Sequence, residues 1–256
     1  MIVNALEKLE GTIALVTGAS SGIGQATALR LASEGAHVAL VARRAERLQI
    51  LAQQIRDNGG TALVIEADIT SAREAEDAVA RTVTEFGRLD TLVNAAGVML
   101  NGPSIDSPLE EWERMVDINL KGLMYMTKAA LPHLVAAVAS SRRKVADVVN
   151  VSSVAGRFAA GQVAIYSATK FAVTAATEAW RQEFTRQSVR FSVVEPGATT
   201  SELFEQKPGQ KEGYTAMFGE VEELHAADIA AAVSFIVTNP RRVAINEIVV
   251  RPTDQA

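Results

Sequence analysis

Apolar, largely β-branched runs alternate with longer stretches of helical periodicity along the whole chain. Residues 12–18 (TIALVTG) read as a buried strand, followed by a glycine-rich turn. Residues 24–35 then read as a helix closed by Gly35 in the usual C-terminal position. The pattern repeats with a strand at 37–43, a helix at 45–58 and a strand at 61–68. Thr70 and Ser71 cap a helix near 72–86, with acids in its first turns. A fourth strand is predicted at 89–97, helices near 108–120 and 121–139, and a fifth strand at 145–153. A long helix over about 163–187, a sixth strand at 189–197, a helix at 226–238 and a last strand at 241–250 complete the series. Strands apolar on both faces, joined by helices, predict an α/β fold. Right-handed crossovers then give a single Rossmann-type domain, a doubly wound seven-stranded parallel sheet with helices on both faces.

One stretch escapes this alternation. Residues 198–224 place Gly209, Gly213 and Gly219 among Leu203, Phe204, Tyr214, Met217 and Phe218. A long segment of glycines and large apolar groups after a strand end predicts a mobile cover over a pocket. Residues 136–147 are basic and read as a solvated extension between a helix and the fifth strand.

Composition narrows the function. Hydrophobic residues make up 48% and charged residues 21%, as in a soluble globular protein. With a net charge of -5 and no basic block, neither nucleic acid nor a membrane surface is an expected partner. There is no cysteine, which excludes thiol chemistry, and His37, His133 and His225 fall in no metal-ligand spacing. No metal is expected. No apolar run reaches about 18 residues, the N-terminal stretch is broken by charge, and the expected location is cytoplasmic.

The first strand runs into TGASSGIG (residues 17–24). Glycine at 18, 22 and 24 suits a tight turn, a close approach of pyrophosphate to the backbone and hard packing of helix on strand. The helix N-terminus, with Ser20, Ser21 and the Ile23 backbone, offers donors to phosphates. The second strand ends in Ala42, Arg43 and Arg44 rather than in the acid that bonds the ribose hydroxyls of NAD. Two guanidiniums there favour the 2′-phosphate of NADP(H).

Tyr166 and Lys170 are four residues apart, so on a helix they share a face. A phenol titrates near pH ~10, and a neighbouring ammonium favours its ionised form. Ser152 and Ser153 end the fifth strand, where open α/β sheets bind ligands, and either hydroxyl suits a substrate oxygen.

Together TGASSGIG, Asp68, NAAG (94–97), Asn119, the Ser/Tyr/Lys set and Pro196-Gly197 resemble the classical short-chain dehydrogenase/reductase family over essentially the whole chain. Within it, residues 41–48, 122–134, 195–203 and 251–255 look similar to bacterial NADP-dependent reductases of the clavulanate dehydrogenase type. The resemblance implies Ser153, by its spacing to Tyr166, as the substrate-holding serine. It implies Tyr166 as acid/base, Lys170 as its tuner and ribose ligand, and Asn119 as holder of a water that relays protons to Lys170. Asp68 and Ile69 would line the adenine pocket, and Asn94, Ala95, Ala96 and Gly97 the floor beside the ribose. Pro196 and Gly197 would turn around the nicotinamide, with Thr199 and Ser201 near its amide and phosphates. It also implies a homotetramer, or a homodimer, through helices near 121–139 and 163–187.

The expected activity is NADP(H)-dependent interconversion of a small carbonyl compound, aldehyde or ketone, and its alcohol. The expected pocket wall is Met99, Leu100, Val154, Phe158, Gln162, Leu203, Phe204, Met217 and Phe218, apolar with few polar handles. Two alternatives stand beside it: a non-catalytic NADP-binding sensor or assembly module, and an alcohol or 3-hydroxy-acid dehydrogenase working oxidatively.

Overall fold

The computed structural model describes residues 9–255, and the side chains of Met217 and Phe218 lie outside that description. The alternating pattern becomes β1 (Ile13–Thr17), α1 (Gly22–Ser33), β2 (His37–Ala42), α2 (Ala45–Asp57), β3 (Thr61–Glu66), α3 (Ala72–Phe86) and β4 (Thr91–Asn94). Then come α4 (Leu109–Val116), α5 (Leu123–Ser140), β5 (Ala146–Val151), α6 (Ala164–Phe184) and β6 (Val189–Pro196). A small pair, β7 (Thr199–Thr200) and β8 (Leu224–His225), brackets α7 (Gln210–Phe218), and α8 (Ala226–Val237) leads to β9 (Glu247–Val250). The main sheet has seven strands in the order β3-β2-β1-β4-β5-β6-β9, all parallel. The order reverses beside β1, between β1 and β4, which opens the crevice at the carboxyl ends of those strands.

Alternate residues of each strand feed two separate cores. Ala14 and Val16 pack with Leu31, Leu48, Ile55 and Val233 from α1, α2 and α8. Ile13 and Leu15 pack with Val79, Met126, Leu134 and Phe191, on the side of α3 and α5. Sealing both faces explains why the strands carry no polar alternation.

The helical course from Leu109 to Ser140 is one rod rather than two helices. Its middle, Asp117–Gly122, is a π-helical turn that carries the buried Asn119. Such turns recur at functional positions because they re-aim a side chain and loosen the carbonyl ladder. The last strand is shorter than expected, since residues 241–246 precede it without regular pairing. The 198–224 stretch holds β7, α7 and β8, elements its glycines had obscured.

The basic 136–147 segment is not a solvated extension. Helix α5 continues to Ser140, and Asp147 lies inside β5. Asp147 accepts from Arg190 Nε at 2.7 Å and Nη2 at 3.0 Å, and from Arg143 Nη1 at 3.3 Å. All three side chains are buried. The two guanidiniums also donate to carbonyls of Val237, Asn239 and Val243, tying the end of α8 to the sheet. Arg143 looks solvated in the sequence because nothing local shows that Asp147, four residues on, is buried within the sheet.

Removing the charge of Asp147 would leave two buried cations facing a neutral amide. We expect Asp147→Asn to lower unfolding stability by about 3–5 kcal/mol, read as a lower urea midpoint. An unchanged midpoint would show that the carbonyls alone suffice.

Candidate active site

The crevice is a cleft of about 590 Å³ that runs from the glycine turn, past the ends of β4 and β5, to the segment after β6. Its nucleotide end is shaped by backbone contact. Gly18 has φ +67°, and a Cβ there would stand 2.8 Å from the Cα of Ala96. A Cβ on Gly24 would run into the carbonyl of Gly18. These glycines let α1 start directly behind the turn, so its free N–H groups face the cleft. Thr17 Oγ1 accepts from the N–H groups of Ala95 at 3.1 Å and Ala96 at 3.2 Å, fixing the floor against the turn. The geometry fits a dinucleotide pyrophosphate: close backbone, helix dipole and the hydroxyls of Ser20 and Ser21 in one place.

Three guanidiniums line this end. Arg44 donates to Ser20 Oγ at 3.0 and 2.9 Å, to Ser21 Oγ at 2.7 Å and to Glu202 at 2.7 Å. Arg43 approaches Asp68 at 3.9 Å. Arg47, one turn further along α2, pairs with Glu202 as well. Asp68 also accepts from the N–H and hydroxyl of Thr70 at 3.0 and 2.8 Å. Burial raises its carboxyl, but the Thr70 hydrogen bonds and Arg43 outweigh that and hold it below the ordinary value.

At the other end Ser153, Tyr166 and Lys170 converge, all buried. Ser153 caps the short 3₁₀ turn Val154–Gly156, accepting from Ala155 N at 3.1 Å and donating to Pro196 O at 3.4 Å, and its hydroxyl lies beside the Tyr166 phenol. Ser152 points away, donating to the Lys170 carbonyl at 3.0 Å and bonding Thr174 at 3.1 Å. Both serines line the cleft, and the Ser152 hydroxyl is the one engaged by α6. Lys170 Nζ donates to Val151 O at 3.0 Å and lies 5.7 Å from the Tyr166 ring centroid.

Burial governs both titrations. It pushes the Tyr166 phenol up to about 12, a rise the Ser153 hydrogen bond only reduces. It pulls the Lys170 ammonium down to about 8. The expected lowering of the phenol by the ammonium is not found: burial raises the phenol, and Ser153 is the group that opposes it. At neutral pH the pair is a neutral phenol beside an ammonium.

The remaining sequence candidates divide. Gly18, Ser20, Ser21, Gly22, Ile23, Arg43, Arg44, Asp68, Ile69, Ala95, Ala96, Gly97, Pro196, Gly197, Thr199 and Ser201 all line the cleft. Gly24 lies behind it, as a packing glycine. Asn94 is not in the lining: its amide donates to Thr127 at 3.1 Å and Asn150 at 2.9 Å, and Asn150 donates to Thr177 at 2.8 Å. This buried chain stitches α5, β4, β5 and α6 together beneath the floor. The side chain of Asn119 is likewise engaged, accepting from Val98 N at 2.8 Å and donating to Val98 O at 2.9 Å and Thr169 at 3.2 Å.

Of the expected wall, Met99, Val154, Phe158, Leu203 and Phe204 line the cleft. Leu100 turns into a small core with Met115, and Gln162 contributes its carbonyl to Gly102 N instead. The Met217 and Phe218 side chains lie outside the described residues. Polar handles are more numerous than the sequence suggested, with Asn101, Arg114, Glu205 and Gln206 in the lining. Gln206 and Gln210 accept from the N–H groups of Met99 and Asn101, both at 3.0 Å, which pins the 198–224 segment across the substrate end. Lys207 adds an ion pair to Glu111 at 2.6 Å. From the C-terminal tail, Gln255 accepts from Ala198 N at 2.9 Å and closes the cleft behind Gly197.

Comparison with known proteins agrees with this geometry. Residues 12–212 match the short chain dehydrogenase family. An uncharacterised oxidoreductase of Staphylococcus epidermidis is 34% identical over 247 residues, covering 96% of this chain and all of the relative. A Burkholderia cenocepacia short chain dehydrogenase solved in complex with NADP superposes with a TM-score of 0.84 at 28% identity, over 96% of this chain and 98% of that one. The 3-ketoacyl-(acyl-carrier-protein) reductase of Brucella melitensis, solved with NADH, gives 0.83 at 28% identity, over 96% and 99%. The chain is a classical short-chain dehydrogenase/reductase, an oxidoreductase by family.

Proposed function

We propose that the protein is an NADP(H)-dependent oxidoreductase that interconverts a small or medium-sized hydrophobic carbonyl compound and its alcohol. The observation that carries this reading is the convergence of Ser153, Tyr166 and Lys170 at one end of a cleft whose other end is the glycine turn. A non-catalytic dinucleotide sensor has no use for a buried phenol beside a serine hydroxyl and a buried lysine, and the enzymatic reading is favoured for that reason.

NADP(H) is preferred over NAD(H) because no acid ends β2, while Arg43, Arg44 and Arg47 line the adenosine end. The bound dinucleotide supplies or accepts the hydride. Ser153 and Tyr166 hold the substrate oxygen, and Tyr166 gives it a proton in the reductive direction. Lys170, neutral in part above pH ~8, is the group through which that proton is replaced. With its side chain tied to Val98 and Thr169, Asn119 serves the relay through its backbone, in the widened π turn. The 198–224 segment acts as the cover, excluding water from the apolar wall of Met99, Phe158, Leu203 and Phe204. The neutral phenol favours reduction at neutral pH, although the same groups serve alcohol oxidation. The assembly we propose is a homotetramer through α5 and α6, where Met124 and Phe171 are exposed at 42% and 43%. No helix of the described residues is long and apolar enough to cross a membrane.

Tyr166→Phe is expected to lower carbonyl-reduction kcat at least about 100-fold, with NADPH affinity by titration nearly unchanged. Full turnover in that variant would sink the assignment. A second expectation concerns pH. Lys170 is depressed to about 8 and Tyr166 raised to about 12. The reductive kcat/KM should therefore be flat below pH ~8 and fall as Lys170 loses its proton. Lys170→Arg, which holds its charge, should abolish that limb if it retains activity. A limb that persists in an active Lys170→Arg enzyme would assign it elsewhere. Finally, light scattering should give a tetramer mass for the protein and a smaller one for Phe171→Glu.

A further inference from the structure

The carboxylate of Glu202 bears on cofactor choice in a way that the glycine turn and the arginines do not. Glu202 follows β7 and lines the cleft together with Arg44 and Arg47. It accepts from Arg44 Nη1 at 2.7 Å and from Arg47 Nη1. Arg44 also donates to Ser20 and Ser21, so a single guanidinium links the glycine turn to Glu202. The third guanidinium, on Arg43, faces Asp68. Every arginine at the adenosine end thus already faces a carboxylate of the same chain.

The balance of charge at this wall discriminates between the two dinucleotides. Arg44 and Arg47 together carry two positive charges, and Glu202 cancels one. A 2′-phosphate bears about two negative charges near neutral pH. It meets Glu202 either as a competitor for the same N–H groups or as a like charge beside them. An adenosine ribose with a free 2′-hydroxyl meets neither cost. The cluster is also partly exposed, 44% and 48% for the arginines and 38% for Glu202, so its members can rearrange without breaking a core.

We propose that Glu202 is a specificity-determining residue, an internal counter-ion that competes with the 2′-phosphate for Arg44 and Arg47. It holds down the preference for NADP(H) over NAD(H). The inference rests on the proposed function of the cleft as a dinucleotide site, and it explains why a site with three arginines need not be strict. The arginines attract the phosphate, and Glu202 sets how strongly. Its carboxyl is held ionised below the usual range by Arg44 and then Arg47, so the competition persists across the neutral range.

The test is calorimetric binding to the whole protein, without turnover. NADPH, NADH, adenosine 2′,5′-bisphosphate and AMP are titrated into wild type and Glu202→Gln. Removing one like charge at contact range should tighten NADPH and the bisphosphate roughly tenfold at low salt, and leave NADH and AMP within about twofold. The gain should shrink at high salt and vanish in the Arg44→Gln/Arg47→Gln background. An unchanged NADPH-to-NADH ratio overturns the proposal. So does equal weakening of both dinucleotides, which would make Glu202 a strut, or equal tightening of both. If wild type binds neither dinucleotide, the cofactor reading itself falls. If it binds both and the ratio does not move, only the role of Glu202 falls.

Discussion

The closest backbone approach in the cleft is the one on which the rest of the site depends. The end of β1 must lie against the loop after β4 while α1 departs immediately behind it. At Gly18 a side chain would stand 2.8 Å from the Cα of Ala96. At Gly24 it would strike the carbonyl of Gly18. Any Cβ at either position would force the helix away from the sheet or the floor away from the turn. Keeping both absent puts the N–H groups of α1, the hydroxyls of Ser20 and Ser21, and the backbone of Ala95 to Gly97 around one volume. Thr17 completes the clamp by accepting two hydrogen bonds from that floor. The positive end of the cleft is therefore a consequence of packing before it is one of charge.

A second buried lattice holds the reacting end in register with the first. Thr127, Asn94, Asn150 and Thr177 form a hydrogen-bonded line through the sheet from α5 to α6. Asn119 adds a bridge from the π turn to Val98 and Thr169. Buried amides of this kind are costly when unsatisfied, so they tolerate little slippage of one helix past the other. That rigidity is what keeps Lys170, on α6, against the end of β5 at Val151.

Legibility in the sequence followed the range of the interaction. Local signals were sound: the strand-turn-helix around Gly18, the Ser71 cap on α3 and the Tyr166/Lys170 face all stand where periodicity put them. The NAAG motif marks Asn94 as special but not the direction of its side chain, which turns beneath the floor to Thr127 and Asn150. Interactions between distant segments were invisible. Glu202 and Arg47 are 155 residues apart, and nothing near either one announces the other. Arg47 had a usable hint, standing one turn from Arg43 and Arg44 at the start of the same helix. The 198–224 stretch looked structureless because its anchors, Gln206 and Gln210, bond backbone N–H groups of another loop and leave no period of their own. Arg143 looked solvated because the burial of Asp147, four residues on, and of its second partner Arg190 comes from the sheet and not from local sequence.

Burial of Tyr166 and Lys170 has a consequence that neither residue type carries alone. Desolvation raises an acid that becomes negative and lowers one that starts positive, so one dry environment drives the two values past each other. Their ordinary values, 10.0 and 10.5, become about 12 and about 8. The order is inverted: the ammonium is now the stronger acid, and the phenol is the last to ionise. A phenol that gives up its proton can then be refilled from a neighbour that holds its own less tightly. The gradient runs from Lys170 to Tyr166, which is the direction a carbonyl reduction needs. Exposure of the pair to water would erase it, since both values would return toward ~10. In the proposed function, the segment pinned by Gln206 and Gln210 would therefore serve the proton chemistry as well as the pocket wall.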